Sequence, residues 1–303
     1  MQWFRCVPTL LLTAGLQADT LTLSPDADTA MLSLNPQNNY GGLMTVPVGP
    51  VARAGHVARA LFRFDVAGSL PAGAVVTNVT LRFQVSRESS TGPADIAALH
   101  RMRVDWAEGS KTNPNHGSAA SAGESNWQSR RSGIADWAGP GGAAGTDFES
   151  SPGATAAWDG PGAYTFGPTD ALIADVQSWL DQPGANHGWM LKSLGESTTG
   201  AAKRVVTREG TQTQRPALVI GFTVPAVFQP SLEPPVIAGT DLELRYALEP
   251  GFAYELRGFP EPGAAFQVLT NHTVKFTAEN ALFLDPLTAP RRFYQLVITG
   301  QVD

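Results

Sequence analysis

The chain has almost no cysteine: a single one, Cys6, in 303 residues. Structural disulfides are thereby excluded, as are thiol nucleophiles and thiolate metal sites in the body of the protein. Charged side chains are also sparse, at 16%, and the net charge is −6 with no Lys/Arg run to offset it locally. That excludes a general attraction to nucleic acid. No apolar run reaches the ~18 residues that a membrane span requires. The sequence lacks a G-x-S-x-G elbow and an H-E-x-x-H helix, so it offers no ready-made hydrolase or zinc-protease signature.

One apolar run, from Val7 to Leu16, follows Arg5 and precedes the small residue Ala18 and the polar Asp19 and Thr20. This pattern predicts a secretory leader over residues 1–18, and hence a secreted protein of the extracellular space or cell surface. Cys6 stands before the apolar run, which excludes a lipid-attachment cysteine.

What the sequence has in abundance is turn residues, 31 Gly and 23 Pro, beside 43% hydrophobic side chains. Short alternating runs fill the spaces between turns. Val79, Leu81, Phe83 and Val85 alternate with Thr80, Arg82, Gln84 and Ser86, and Ala60, Phe62 and Phe64 alternate with Arg59, Leu61 and Arg63. Further runs at 29–34, 44–48, 97–104, 163–166, 188–193, 204–207 and 217–223 bring the total to roughly ten half-buried strands. The period changes once, at 169–180. There Leu172, Ile173, Val176, Trp179 and Leu180 form a helical stripe opposite Asp175 and Gln177, with Thr169 as N-cap and Pro183–Gly184 as the stop. The reading is an all-β jelly-roll sandwich with one short helix, over residues 19–224. Residues 109–162, rich in Gly, Ala and Ser, read as a long loop insertion. Four prolines between 225 and 235 mark a linker, 225–240, before a small immunoglobulin-like or fibronectin-like sandwich at 241–303, a spacer or docking module.

His187, in PGANHGWMLK, tests whether the chain carries a general base. Asn-x-Gly occurs three times, at 39–41, 115–117 and 186–188, and Asn and Gly both tolerate positive φ. His187 therefore reads as the corner of a turn. Five separated segments, NNYGG…VPVG, RALFRFDVAGSLPAGAVVTNVTLRF, VDWAEG, DVQSWLDQPGANHGWMLK and VVTREGTQTQRPALVIGF, together resemble the DNRLRE-type domain, over about residues 20–224. That resemblance implies a secreted jelly roll, non-catalytic, of the kind that binds alginate-like polysaccharides on bacterial surfaces. The C-terminal PRRFYQLVI segment resembles the small sandwiches of exported Verrucomicrobia-like proteins.

Candidate ligand residues follow from chemistry. Arg63, Arg82, Arg101, Arg103, Lys192, Lys203, Arg204 and Arg208 fall on predicted strands; on a shared face they would make a basic platform for uronate or sulfate groups. Asp65 and Glu209 beside Arg63 and Arg208 suggest ion pairs as the competing role. Trp137 and Trp158, in the insertion, are candidates for stacking on sugar rings, with burial as the alternative. Asp26 and Asp28 could give oxygen ligands to a structural calcium ion, although no cofactor is required. The Asp105/Glu108 pair, with Tyr164 and His100, would be the candidates for a polysaccharide lyase or hydrolase. The expectation is a non-catalytic protein whose partner is extracellular polysaccharide, uronate-rich or sulfated chains among the candidates. A purely structural or adhesive surface protein is the alternative.

Overall fold

The computed structural model describes residues 17–88, 94–114, 116–197, 200–224, 230, 232–260, 264–275, 277–286 and 293–301. Most of the expected leader, residues 1–16, lies outside the described residues. The chain divides into two compact units, at residues 225/226. Among the described residues no helix is long and apolar enough to cross a membrane.

Among its described residues the larger unit is all-β with one α-helix. Eleven strands join in one antiparallel sheet: β1 (Gln17–Leu23), β2 (Ala27–Leu32), β3 (Thr45–Pro50), β4 (Val57–Arg63), β5 (Val75–Glu88), β6 (Asp95–Arg101), β7 (Ala154–Trp158), β8 (Gly162–Phe166), β9 (Trp189–Ser193), β10 (Lys203–Val206) and β11 (Ala217–Val224). The hydrogen-bonded order is β1-β11-β5-β10-β3-β4-β9-β6-β7, with β8 also on β5 and β2 also on β4. Because β3 pairs with both β10 and β4, the sheet curls and its two halves face each other. Phe62 of β4 and Phe83 of β5, on strands that do not pair, meet across that core at 4.8 Å between ring centroids.

Alternation drives this assembly. Val79, Leu81, Phe83 and Val85 are fully buried, as are Ala60, Phe62 and Phe64. The single helix, α1 (Asp170–Asp181), is capped by Thr169, whose hydroxyl accepts from the Leu172 N–H at 3.2 Å. Its Trp179 is fully buried and packs on Trp189 at 4.4 Å. Asp175, expected on the polar face of α1, is instead buried, because β9 and β6 bring Trp189 and Arg101 to it; it accepts from Trp189 Nε1 at 2.8 Å. Burial holds its carboxyl above the usual range.

The expected 109–162 insertion needs two corrections. Residues 154–158 and 162–166 are sheet strands, β7 and β8. The stretch before them covers the outer face of the β2-β4-β9 layer. There Trp106, Trp137 and Phe148 close over Ala27, Met31, Leu61 and Met190 in a second hydrophobic cluster. Leu61, which alternation puts on the outer face, is therefore fully buried. Arg59 clamps the cover: it donates to both Glu196 oxygens at 2.8 Å and to Gly141 O at 2.8 Å, with its guanidinium 5.4 Å over Trp127.

The smaller unit has two three-stranded antiparallel sheets: β12 (Val236–Ala238), β13 (Asp241–Leu248) and β16 (Glu279–Pro286); and β14 (Phe252–Phe259), β15 (Gln267–Val274) and β17 (Phe293–Gln301). Leu244, Tyr246, Leu248, Tyr254, Leu256, Val274 and Leu296 form its core. The proline-rich stretch does not end as a free linker: β12 pairs with β13, and Leu232 bridges to Tyr246.

Candidate functional site

Five of the cations expected to make a platform are neutralised where they stand. Arg63 donates to Asp26 at 2.7 Å and lies 5.9 Å over the Trp106 ring. Arg101 reaches Asp175 at 3.1 Å and Ser178 at 3.0 Å, beside Trp179. Arg103 stands 3.5 Å from Glu149, and Lys192 stands 3.4 Å from Glu196. Arg208 grips Glu108 through two nitrogens, at 2.6 and 2.8 Å, and Glu209 at 3.0 Å. Of the other three, Lys203 is buried, while among the described residues Arg204 has no acid and the exposed Arg82 has no partner. The platform expectation is corrected accordingly: acids take up five of its members, four of them from distant segments and Lys192 from its own.

Trp137 and Trp158 are corrected too. They are 5% and 1% exposed, so neither offers a ring face to a sugar. Trp137 seals the outer cluster and donates to Asn126 O at 2.9 Å; Trp158 belongs to the main core. The groups considered for catalysis are placed apart. Asp105 pairs with Arg130 and Arg131, and Glu108 with Arg208. His100 is buried against Phe148 with Nδ1 2.8 Å from Glu149 O, and burial pushes its pKa down. Tyr164 donates to Gly160 O at 2.8 Å, within the turn that joins β7 to β8. His187 occupies a corner: Asn186 Oδ1 accepts from the Gly188 N–H, and the His187 carbonyl accepts from Trp106 Nε1 at 2.8 Å. Gly188 has φ +71°, and a Cβ there would meet Phe62 O at 2.0 Å, so only glycine fits.

The geometry that stands out joins Arg204 of the expected platform to Arg87, which the sequence did not single out. On β5 strict alternation would send residue 87 inward after Val79, Leu81, Phe83 and Val85. A register shift intervenes: Val205 of β10 pairs with Val85, but Arg204 pairs with Arg87. The bulge leaves Ser86 extra and turns Arg87 outward. Two guanidinium side chains thus sit directly opposite each other on adjacent strands. Like charges so placed destabilise a sheet, by roughly 0.2–1 kcal/mol on the scale of cross-strand pairs. No acid answers them among the described residues; Arg204 donates only two long bonds, 3.4 Å each, to Thr45 O and Pro114 O. Burial, then the Arg87 charge, lowers the Arg204 pKa.

The pair borders three adjoining clefts of about 360, 390 and 220 Å³, all lined by Arg204, two of them by Arg87. Met44, 68% exposed, and Pro114 supply an apolar wall; Thr45, Ser86 and His116 supply polar groups. The sequence carried one weak signal for this site: an arginine in phase with the core positions of a strand, where a charge cannot stay.

A second constellation gathers acids. Asp28 of β2, Glu108 and Glu209 place carboxylate oxygens within 4.8 Å of one another. Asp28 is 1% exposed: its N–H donates to Glu108 Oε1 at 2.8 Å, and its Oδ2 accepts from the Arg208 N–H at 2.7 Å. Its Oδ1 and Glu209 Oε2 are buried without a hydrogen-bond partner among the described residues. Such an acceptor costs about 1–3 kcal/mol, and more when charged. Asp26, expected to share a cation with Asp28, is exposed and taken by Arg63. The segments that carried the family resemblance converge here. Asn39 of NNYGG donates to Glu108 O at 2.6 Å, and Glu108 of VDWAEG meets Arg208 of TREG.

No family model matches the chain, and no curated protein matches it.

Proposed function

We propose that this is a secreted, non-catalytic carbohydrate-binding protein whose larger unit holds an anionic polysaccharide, uronate-rich or sulfated, along the Arg87–Arg204 cleft. The observation that carries the reading is the uncompensated arginine pair. A planar guanidinium accepts a carboxylate or sulfate bidentately, and an anion bridging the two would turn their repulsion into binding. Arg82 stands outward on the same strand, about five residues or ~15 Å away at the rise of a strand, and extends the cationic track along a chain-like ligand. Resemblance to the DNRLRE-type domain supports the same class of partner. A structural or adhesive surface protein without a glycan site is the second reading, favoured by the neutralisation of Arg63, Arg101, Arg103, Lys192 and Arg208.

Calorimetry against alginate, polygalacturonate, a sulfated galactan and a neutral glucan separates the two. Binding to the anionic chains alone, weakened by salt and by Arg204→Ala, supports the cleft. Binding to none of them, or equal binding to the neutral glucan, removes it. Release of unsaturated or reducing ends would replace it with a lyase or hydrolase.

A further inference from the structure

We infer that Asp28, Glu108 and Glu209 form a site for one hard divalent cation of the calcium type, independent of the Arg87–Arg204 cleft. Three observations carry this. First, Asp28 Oδ1 and Glu209 Oε2 are buried acceptors with no donor, in a cluster whose oxygens lie within 4.8 Å of one another. Second, the charges count to a divalent deficit. Three carboxylates surround one guanidinium, Arg208, and the charges felt by Asp28 are those of Glu209, Glu108 and Arg208. Ionised, the group carries −2, which a single divalent ion neutralises.

Third, the site is built rather than incidental. The Asp28 N–H fixes Glu108 and the Arg208 N–H fixes Asp28, so segments 80 and 100 or more residues apart in sequence converge before any ion arrives. Arg208 already engages both Glu108 oxygens. The open positions are therefore Asp28 Oδ1, Glu209 Oε2 and the remaining lone pairs of Glu108, with water completing the shell. An all-oxygen donor set without imidazole or thiolate selects calcium or magnesium over zinc or copper. The competing occupant is a proton held between the carboxylates.

The test uses the full secreted chain, stripped with EDTA and dialysed. Calcium at a hundredfold excess over its dissociation constant is expected to raise Tm by about 5–10 °C, with one ion per chain by calorimetry. Magnesium serves as the second probe. Glu209→Gln, at the more exposed ligand, is expected to keep the fold and lose at least tenfold in calcium affinity; Asp28→Asn should abolish the response. Two results overturn the site: a wild-type protein that takes up neither ion and keeps its Tm, or a calcium response unchanged in Glu209→Gln. In the first case an Asp28→Asn protein as stable as wild type identifies the proton as occupant. Cleft and cation site share no residue, so glycan binding by calcium-free protein tests one without the other.

Discussion

The molecule treats its arginines in two ways, and the contrast separates architecture from recognition. Arg59 on β4 has a bidentate acid partner 137 residues away, two backbone carbonyls and two aromatic faces, and holds the covering segment onto the sheet. Arg87 and Arg204 have each other and, among the described residues, no acid. Both arrangements lie on antiparallel strands of one sheet, and nothing in the residue type tells them apart. A long-range acid partner marks a cation that ties segments together. A missing partner, where geometry forces two cations side by side, marks one kept for something outside the chain.

The contrast breaks most sharply at Arg59. Arg59→Ala removes the clamp, leaving Glu196 with Lys192 alone and the Gly141 carbonyl without its donor. The expected loss is about 3 kcal/mol, toward the lower end for broken buried pairs because both side chains keep some exposure, read by urea denaturation. Glu196 adds a pH signature. Burial pushes its carboxyl up, but the Arg59 hydrogen bonds and charge, with Lys192, outweigh this and hold it below the ordinary value of 4.5. The stabilisation is therefore fully present above 4.5 and is lost as pH falls through the lower folded value. A Glu196→Gln protein should be less stable than wild type at neutral pH and converge with it in acid. A difference that is constant with pH would mean that the ion pair contributes nothing.

The other side of the comparison has the opposite expectation. Replacing Arg87 and Arg204 together by alanine should leave stability unchanged or raise it by a few tenths of a kcal/mol, because a like-charge pair disappears. Binding of the anionic polysaccharide should fall by about 10–100-fold for each guanidinium lost. A double variant that unfolds instead would place these residues with the architectural set.

Local signals were legible in the sequence and long-range ones were not. The all-β class, the helix at 170–181, its Thr169 cap and the Asn186–Gly188 corner all follow from spacing or steric demands within a few residues. The cleft depends on a bulge at Ser86, and one unpaired residue reverses which way every later side chain points. The acidic cluster is assembled by the meeting of β2, the VDWAEG loop and the segment after β10, which no local period encodes. Trp137 is buried because another part of the same insertion folds over an outer sheet face that alternation marks as solvent. A helical wheel puts Asp175 opposite the apolar stripe; it is buried because the sheet supplies Trp189 and Arg101 as donors.

Asp175 and Arg82 sharpen the comparison at its weak end. Burial raises the Asp175 carboxyl above 3.8 despite Trp189 and Arg101, so its ionisation works against the fold. Stability should fall as pH rises through the window above 3.8, by less than about 1.4 kcal/mol per unit. Asp175→Asn, which keeps an acceptor for Trp189 Nε1, should flatten that slope; an unchanged slope would assign the pH dependence elsewhere. Arg82, exposed and without a partner among the described residues, is expected to tolerate alanine within about 0.5 kcal/mol. Its effect should show in binding alone, as a loss of a few-fold that shrinks with added salt, because at ~15 Å it lies beyond the screening length of about 8–10 Å from Arg87 and adds a contact rather than a field. If Arg82→Ala matched the loss from Arg204→Ala, the ligand would be centred along β5 and not in the cleft. If it changed nothing, the track would end at Arg87 and the ligand would be short.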